Sequence, residues 1–356
     1  PKDVTDVLDN RIYPRLRERL VALGLADEAR TFNLQHVTVV HIHSADPSTP
    51  RKMLAAFPRA PPVLGLTLKN FYNTGTTWIN TLAFTGGTET INYRFSLSNT
   101  DSKGILPNST LKKKIANLNV NAYLGKRISI EAVAQYNVEE AKNRPSSGDA
   151  PGNPNWAVYM IGNTVDIRSM NPGYDSSGRE IQWNETPYAS NSYFVVNRFQ
   201  NNDNKNRFIG QASIKYDLLS NLSVKGTVAR DFFNYDFVGI IPTGTVYTLG
   251  AAGQYSGKKI AVAETNAMLT LNYNQKFWNT VGLNFLAGAN RRRYSSDMTE
   301  IDGSQFVIPF FYSYTNLATV TTKPTRNRTG TNSWFASADL DYKSIIFLTL
   351  TGRQDW

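Results

Sequence analysis

The sequence predicts an all-β fold: an antiparallel up-and-down meander that is part of a transmembrane β-barrel, preceded by an irregular N-terminal segment. The first observation behind this prediction is strict alternation. Apolar side chains occupy every second position over 118–124, Gly125-Lys126-Arg127 interrupts the pattern, and the alternation resumes over 128–138. A period of two over consecutive runs indicates two strands of a hairpin, because successive side chains of a strand point to opposite faces.

The second observation is the spacing of such runs along the chain. Ten candidate strands cover about 76–85, 88–99, 111–124, 127–139, 206–218, 222–237, 260–273, 278–293, 331–342 and 345–355. We expect short turns at 86–87, 125–126, 220–221, 274–277 and 343–344, and long connections at 100–110, 140–205, 238–259 and 294–330. Short turns at one end and long loops at the other are typical of outer-membrane barrels. A soluble sandwich would use Greek-key crossings instead.

The third observation is the composition of the apolar face. Aromatic residues on this face lie beside the short turns, where rings with polar tips suit a membrane interface: Tyr216, Tyr273, Trp278 and Tyr342. We expect six aliphatic residues to face outward: Leu118, Val120, Ile128, Ile130, Leu348 and Leu350. Arg230 interrupts the apolar alternation in its strand and would lie near the headgroups. The open alternative is a sandwich that packs the same face internally.

Residues 1–70 do not share this pattern. Residues 14–29 are predicted to form a short amphipathic helix, and 37–42 the one short strand of the segment. Five prolines mark an irregular connector between 47 and 62. We therefore divide the chain into 1–70, a segment of uncertain origin, and 71–356, a partial barrel of about ten strands.

Composition limits the classes of protein. The 356 residues carry a formal charge of +10 and include no cysteine, which excludes disulfides and thiolate metal sites. The mean hydropathy of −0.37 is compatible with a barrel, since half of each strand faces a polar lumen. The chain lacks an initiator Met and stops directly after an apolar strand pattern, so we expect it to be a fragment.

Four stretches together resemble SusC/RagA-type TonB-dependent transporters. They are LKNFYNTG at 68–75, FSLSNTDSKGILPN at 95–108, RFIGQAS at 207–213 and LTGRQDW at 350–356. The resemblance covers about 68–356. Residues 1–67 do not resemble the family.

The resemblance implies an outer-membrane barrel of about 22 strands. It implies import of glycans or peptides too large for porins, driven through TonB and assisted by a SusD-like surface lipoprotein. It places the protein in the outer membrane of a Gram-negative, Bacteroidetes-like cell. The plug and the TonB-contacting segment of the family are absent from this chain.

The predicted loop over 140–205 is the candidate for contact with substrate or a partner protein. It carries rings that stack on sugars among amides that bond hydroxyl groups: Trp156, Tyr159, Trp183, Tyr188 and Tyr193. The alternative is that these rings form the loop's own small core. A helical turn is expected over 155–161.

Two basic triplets are predicted to lie where a strand meets a long loop. They are Lys112, Lys113 and Lys114, and Arg291, Arg292 and Arg293. At that end of a barrel they would contact lipid phosphates. The alternative is a solvated rim. Nucleic-acid binding is not expected, because the basic residues are spread through a membrane-type pattern.

No catalytic constellation is recognisable, and neither an enzyme nor a cofactor or metal site is expected. Asp339 and Asp341 occupy one face at i, i+2, as paired glycosidase carboxylates can, but such carboxylates are ordinary inside barrels. Two functions remain open: a segment of an outer-membrane importer, and a secreted β-rich carbohydrate-binding or adhesion domain.

Overall fold

A computed structural model describes residues 29–34, 37–42, 66–148, 150–162 and 165–356. The chain divides into two compact units, Pro1–Phe71 with Val158–Ser169 and Tyr72–Ala157 with Met170–Trp356. Among the described residues, no helix is long and apolar enough to cross a membrane.

The first unit contains a two-stranded antiparallel sheet and a short helix. Strand β1 is Ala29–Leu34, strand β2 is Val37–Ile42, and helix α1 is Leu66–Phe71. The predicted strand at 37–42 is confirmed. The expectation of a single strand was wrong, because β1 pairs with it; a six-residue run with three polar positions carries too little alternation to be recognised. The predicted helix, apart from Ala29, and the proline-rich connector lie outside the described residues.

The second unit is one ten-stranded sheet. Its strands are β3 Thr76–Gly87, β4 Ile91–Lys103, β5 Thr110–Leu124, β6 Ile128–Lys142, β7 Gln200–Leu219, β8 Leu222–Ile241, β9 Gln254–Phe277, β10 Val281–Phe306, β11 Leu317–Tyr342 and β12 Ile346–Asp355. Every strand pairs antiparallel with its sequence neighbours, and β3 and β12 lie at the two ends of the sheet. The predicted meander of ten strands is therefore confirmed.

The short connections cluster at one end of the strands, but two of the predicted turns were misplaced. Gly86 and Gly87 end β3, and residues 274–277 belong to β9. The β9–β10 turn instead uses Trp278 and Asn279 at φ of 48° and 55°. These positive φ angles suit a tight hairpin, whose twist matches that of the strands. The predicted turn over 343–344 is confirmed, and its two residues also have positive φ angles.

The long connections are shorter than predicted, because the strands extend well beyond the apolar band. They span 104–109, 143–199, 242–253 and 307–316. The predicted loop over 294–330 was wrong, since β10 and β11 are each 26 residues long. Both faces of these extensions are polar, so the apolar alternation that marks a strand is missing there. Thr-rich sequence and a continuous ladder of strand pairing hold them extended.

Residues directly opposite each other in the ladder share one face of the sheet. One such row joins Leu118, Ala134, Gly210, Arg230, Thr265, Arg293 and Gly330. Together with every second residue along each of these strands, this row forms the apolar face of the sheet. The residues between them form the polar face. The ten strands of the second unit form one sheet and do not divide into two packed sheets, so the predicted sandwich alternative was wrong.

The six residues predicted to face outward all lie on the apolar face. Leu118, Leu348 and Leu350 are exposed, at 40%, 50% and 56%. Val120, Ile128 and Ile130 are only half-exposed, and each has apolar side chains directly opposite it on both neighbouring strands. Ile130, for example, lies between Ala122 and Ile214.

Candidate functional site

A ladder of ion pairs crosses the polar face from β7 to β10. The Arg207 guanidinium donates to Asp231 through Nε at 2.9 Å and through Nη2 to the other carboxylate oxygen. Arg292 makes the same two-point contact with Glu264, at 2.8 and 2.6 Å. Such fork-like contacts hold both partners in one orientation.

The two acids of this ladder stand directly opposite each other, Asp231 on β8 and Glu264 on β9. Like charges at opposite positions repel. Each arginine therefore pairs with one of the two acids and offsets the repulsion between them. The order Arg, Asp, Glu, Arg gives the polar face a fixed pattern of charge with no net excess at this height.

A second set of contacts lies on the same face. Glu131 accepts from Lys225 Nζ at 2.8 Å and from Ser213 Oγ at 3.0 Å. Towards the long loops, Arg144 contacts Asp203 and donates to Glu139 at 2.9 Å. Asp203 is buried, so Arg144 neutralises a carboxylate that has little access to water.

The described part of the long connection over 143–199 includes helical segments. It contains helices α2, Pro154–Met160, and α3, Ser192–Arg198, which confirms the helical turn predicted near 155–161. Asn191 caps α3: its Oδ1 accepts from the N–H of Tyr193 at 3.0 Å, and its Nδ2 donates to the carbonyl of Ile181 at 3.0 Å. An asparagine at this position satisfies N–H groups that a helix leaves unpaired.

Glu180 joins this connection to the next one. Its buried carboxylate accepts from the N–H of Asn191 at 2.8 Å and from the N–H of Val246 at 3.1 Å. Burial raises the pKa of Glu180, and the two N–H groups partly oppose that rise. Burial also raises the pKa of the nearby Tyr247 phenol, so both groups favour their neutral forms relative to solvent.

A cavity of about 320 Å³ lies where the folded connection meets the strand ends. Its apolar wall includes Leu106, Val195, Phe199 and Ile240, and its polar groups include Arg144, Gln200, Tyr255 and Asp302. A half-open pocket with apolar walls and a few polar groups is the usual shape of a site for a small part of a ligand.

The five predicted contact rings differ in their exposure. Trp183 is half-buried and donates from Nε1 to the carbonyl of Ala189 at 2.7 Å, and Trp156 and Tyr193 are also half-buried. Tyr188 is 57% exposed, with its ring stacked on Tyr247 at 6.2 Å. Tyr159 is exposed too. Phe194 is fully buried in the same connection, so part of the aromatic content is indeed the loop's own core.

The two basic triplets are divided between the faces of the sheet. Lys112, Lys114, Arg291 and Arg293 lie on the apolar face, whereas Lys113 and Arg292 lie on the polar face, where they pair with Glu139 and Glu264. The expectation that the arginine triplet ends a strand was wrong, because β10 continues to Phe306.

The described residues contain no group of three His, Cys, Asp or Glu side chains that could hold a metal ion. Asp339 lies on the polar face and accepts from Thr349 Oγ1 at 2.7 Å. This contact is an ordinary cross-strand hydrogen bond.

Sequence reasoning missed the ion-pair ladder, Glu180 and the cavity. Alternation places Asp231 and Glu264 on the polar face, yet only the register of β8 against β9 shows that they stand opposite each other. Glu180 lies 66 positions from Val246, with no periodic pattern between them. The cavity is lined by seven separate stretches of chain.

Comparison with known proteins places this geometry in context. No family model matches the chain. The chain is 22% identical over 291 residues to TonB-dependent receptor P26 of Formosa agariphila. The aligned region covers 77% of this chain and 27% of the receptor. It therefore spans about a quarter of the length of that curated relative.

Solved structures share the fold. The RagAB peptide importer in its open-open state superposes with a TM-score of 0.62 at 15% identity, covering 81% of this chain and 32% of that one. Its closed-closed state gives 0.61 at 13% identity, over 81% and 33% of the two chains. The ferripyoverdine receptor of the outer membrane of Pseudomonas aeruginosa gives 0.52 at 11% identity, over 80% and 36%.

The sequence relative and the shared fold agree with the resemblance carried by the four stretches between 68 and 356. In sequence the chain is similar to part of a TonB-dependent receptor, and in fold it is similar to part of the RagAB importer.

Proposed function

We propose that the chain contributes part of the barrel wall of an outer-membrane, TonB-dependent importer of large nutrients, either glycans or peptides. One observation carries this proposal: a single ten-stranded meander exposes apolar side chains on one face and gathers most of its ion pairs on the other. In water such a face is unfavourable, whereas a bilayer accommodates it and the polar face lines a lumen.

The height of the apolar face suits a bilayer. On β10 it runs from Val281 to Ala289, and on β11 from Trp334 to Tyr342, nine residues each by their numbering. A tilted strand crosses the hydrocarbon core in about 9–11 residues. The strands continue beyond this band, so their upper parts would carry the long connections well above the membrane.

Within this function, residues 71–356 form the barrel part, and 1–70 remain a separate segment. Tyr188 and Tyr159 are the proposed substrate-contacting or partner-contacting rings, because their side chains are exposed. Trp156, Trp183 and Tyr193, which are half-buried, would contact ligand only along their edges. The proposed partners are a SusD-like surface lipoprotein, the TonB complex, outer-membrane lipid and the glycan or peptide. The proposed role is import, which requires no catalytic group.

Fractionation of cells that express the full-length protein tests the location. The protein should stay with outer membranes through a urea wash and leave them only in detergent. Release as a soluble monomer would contradict the proposal. Uptake should stop when TonB is deleted, and comparing labelled oligosaccharides with labelled peptides identifies which of the two is carried.

Tyr188→Ala tests the ring on the folded connection, with Tyr123→Ala as a control in a ring exposed at the opposite end of the strands. Loss of one stacking contact should weaken substrate binding by roughly 1 kcal/mol, about fivefold, in the first variant alone. Equal binding by both variants would remove Tyr188 from the site.

A further inference from the structure

Three arginines on the apolar face lack the acidic partners that several arginines of the polar face have. They are Arg230 on β8 and Arg291 and Arg293 on β10. Arg207, Arg292 and Arg144 on the polar face all contact carboxylates. Within the part of the chain that the structure describes, Arg230, Arg291 and Arg293 form no ion pair.

The three residues are neighbours in the ladder. Arg230 and Arg293 each stand directly opposite Thr265, on its two sides, and Arg291 is two positions from Arg293 on the same face. With strands about 4.8 Å apart and a rise of about 3.3 Å per residue, their backbones lie within roughly 12 Å of one another. Arginine residues whose backbones are this close can extend their side chains to one shared anion.

The hydrogen bonds that Arg230 and Arg293 donate go to uncharged acceptors. Arg230 donates to Thr265 Oγ1 at 2.6 Å, which directs it towards β9. Arg293 donates only to the backbone carbonyl of Arg292, at 3.3 Å, and lies over Gly330, where an added Cβ would collide with it. All three side chains are exposed. The cluster therefore presents positive charge outward without neutralising it.

The height of the cluster decides which anion it meets. Arg291 and Arg293 follow Val281, the first residue of β10, by 10 and 12 positions. Ten residues of a strand tilted by about 40° climb about 25 Å, which is the height of the apolar band of a membrane barrel. Arg230, eight positions after Leu222, starts slightly lower, and its long side chain can extend up to the same level.

We propose that Arg230, Arg291 and Arg293 form a binding site for the phosphate group of a phosphorylated lipid in the outer leaflet. This inference rests on the membrane location proposed above. A guanidinium binds two phosphate oxygens at once, which makes arginine better suited than lysine to hold such a headgroup. The apolar band beneath the cluster receives the acyl chains of the same lipid.

The test measures retention of diphosphoryl lipid A by the full-length protein purified in detergent, read by native mass spectrometry. In the triple variant Arg230→Gln, Arg291→Gln, Arg293→Gln, retention should fall by at least about tenfold, because charge-assisted contacts to phosphate are lost. The matched control is Arg326→Gln with Arg328→Gln, two arginines of the same face that pair with Asp297. Its retention should equal that of the unmodified protein.

Two further arms make the outcome decisive. Fully dephosphorylated lipid A should be retained equally weakly by all variants, and millimolar inorganic phosphate should not displace the lipid. Equal retention by the triple variant, equal loss in the control, or displacement by free phosphate would each overturn the proposal. Heat-dependent gel mobility verifies folding, and if the triple variant fails to fold, Arg291→Gln alone must lower retention at least about threefold. A protein that stays in membranes yet shows unchanged lipid retention contradicts this inference and leaves the import function standing.

Discussion

At the scale of single residues, Glu180 illustrates how a buried carboxylate organises a long connection. It accepts N–H groups from Asn191 and Val246, and so joins two loops that the sheet brings to the same end. The energetic effect of this contact depends on pH, because burial raises the pKa of Glu180 above its value of 4.5 in an unfolded chain. The folded loop therefore holds the proton more tightly than the unfolded loop does.

The sign of the pH dependence follows from linkage. A raised pKa in the folded state gives stability that is fully present below pH 4.5 and is lost as pH rises through the folded pKa. We expect the folded connection to become more susceptible to proteolysis as pH rises above 4.5, with cleavage calibrated against a reference substrate at each pH. Glu180→Gln removes the titration and should give a flat profile. A profile in that variant that matches the unmodified protein would show that another group is responsible.

At the scale of elements, the ion-pair ladder links four strands through their side chains. Arg207 and Asp231 are each about a third exposed, so solvent screens the pair and its coupling is modest, about 0.5–1 kcal/mol. The pair stabilises the sheet mainly by neutralising Asp231, which stands directly opposite the like charge of Glu264. An unpaired Asp231 would add repulsion to the loss of the contact.

A double-mutant cycle in urea tests this reasoning. Arg207→Met should lower the free energy of unfolding by about 1 kcal/mol, and adding Asp231→Asn should recover part of that loss, since the carboxylate facing Glu264 is then neutral. Lys215→Met, which removes an ion pair with Asp217 of the same strand, serves as the control and should have a smaller effect. Strictly additive losses at 207 and 231 would contradict compensation.

The apolar face of β6 gives a second prediction at this scale. Ile130 lies on that face and Val133 on the polar face of the same strand. A charge near the middle of a lipid-facing band costs roughly 2–4 kcal/mol, whereas a charge facing a lumen costs little. Ile130→Arg should therefore lower the yield of folding into bilayers, and Val133→Arg should not. Equal yields would show that this face does not contact lipid.

At the scale of the whole molecule, the two end strands of the sheet decide how the chain behaves by itself. β3 and β12 each pair with one neighbour, and nearly all of their residues are exposed. An open edge in lipid leaves backbone N–H and C=O groups unsatisfied, at a cost of several kcal/mol each. The same edge in water is a template for association with other chains.

We therefore expect residues 1–356, expressed alone, to aggregate instead of inserting into bilayers. Sedimentation and heat-dependent gel mobility measure this directly, with the full-length protein as the control. A monomeric, heat-modifiable species would mean that β3 and β12 close on each other in the membrane. The function would then be that of a small barrel and not of part of a large one.

The amino-acid sequence by itself determined the class of fold, and the number and order of the strands in the ten-stranded sheet. Alternation between Leu118 and Val138 reports a strand wherever one face is apolar and the other polar, and the turns between such runs impose a meander. The same signal is missing where both faces meet water. That is why β10 and β11 were predicted too short, and why Arg291–Arg293 were expected at a strand end.

Only the tertiary structure decided which residues act together. Register places Asp231 against Glu264, and it places Arg230 and Arg293 on either side of Thr265. It also divides each basic triplet between two faces with opposite surroundings. Such relations join residues tens of positions apart through backbone hydrogen bonds, which depend little on side-chain identity. A linear pattern therefore records the face of each residue but not its neighbour across the sheet.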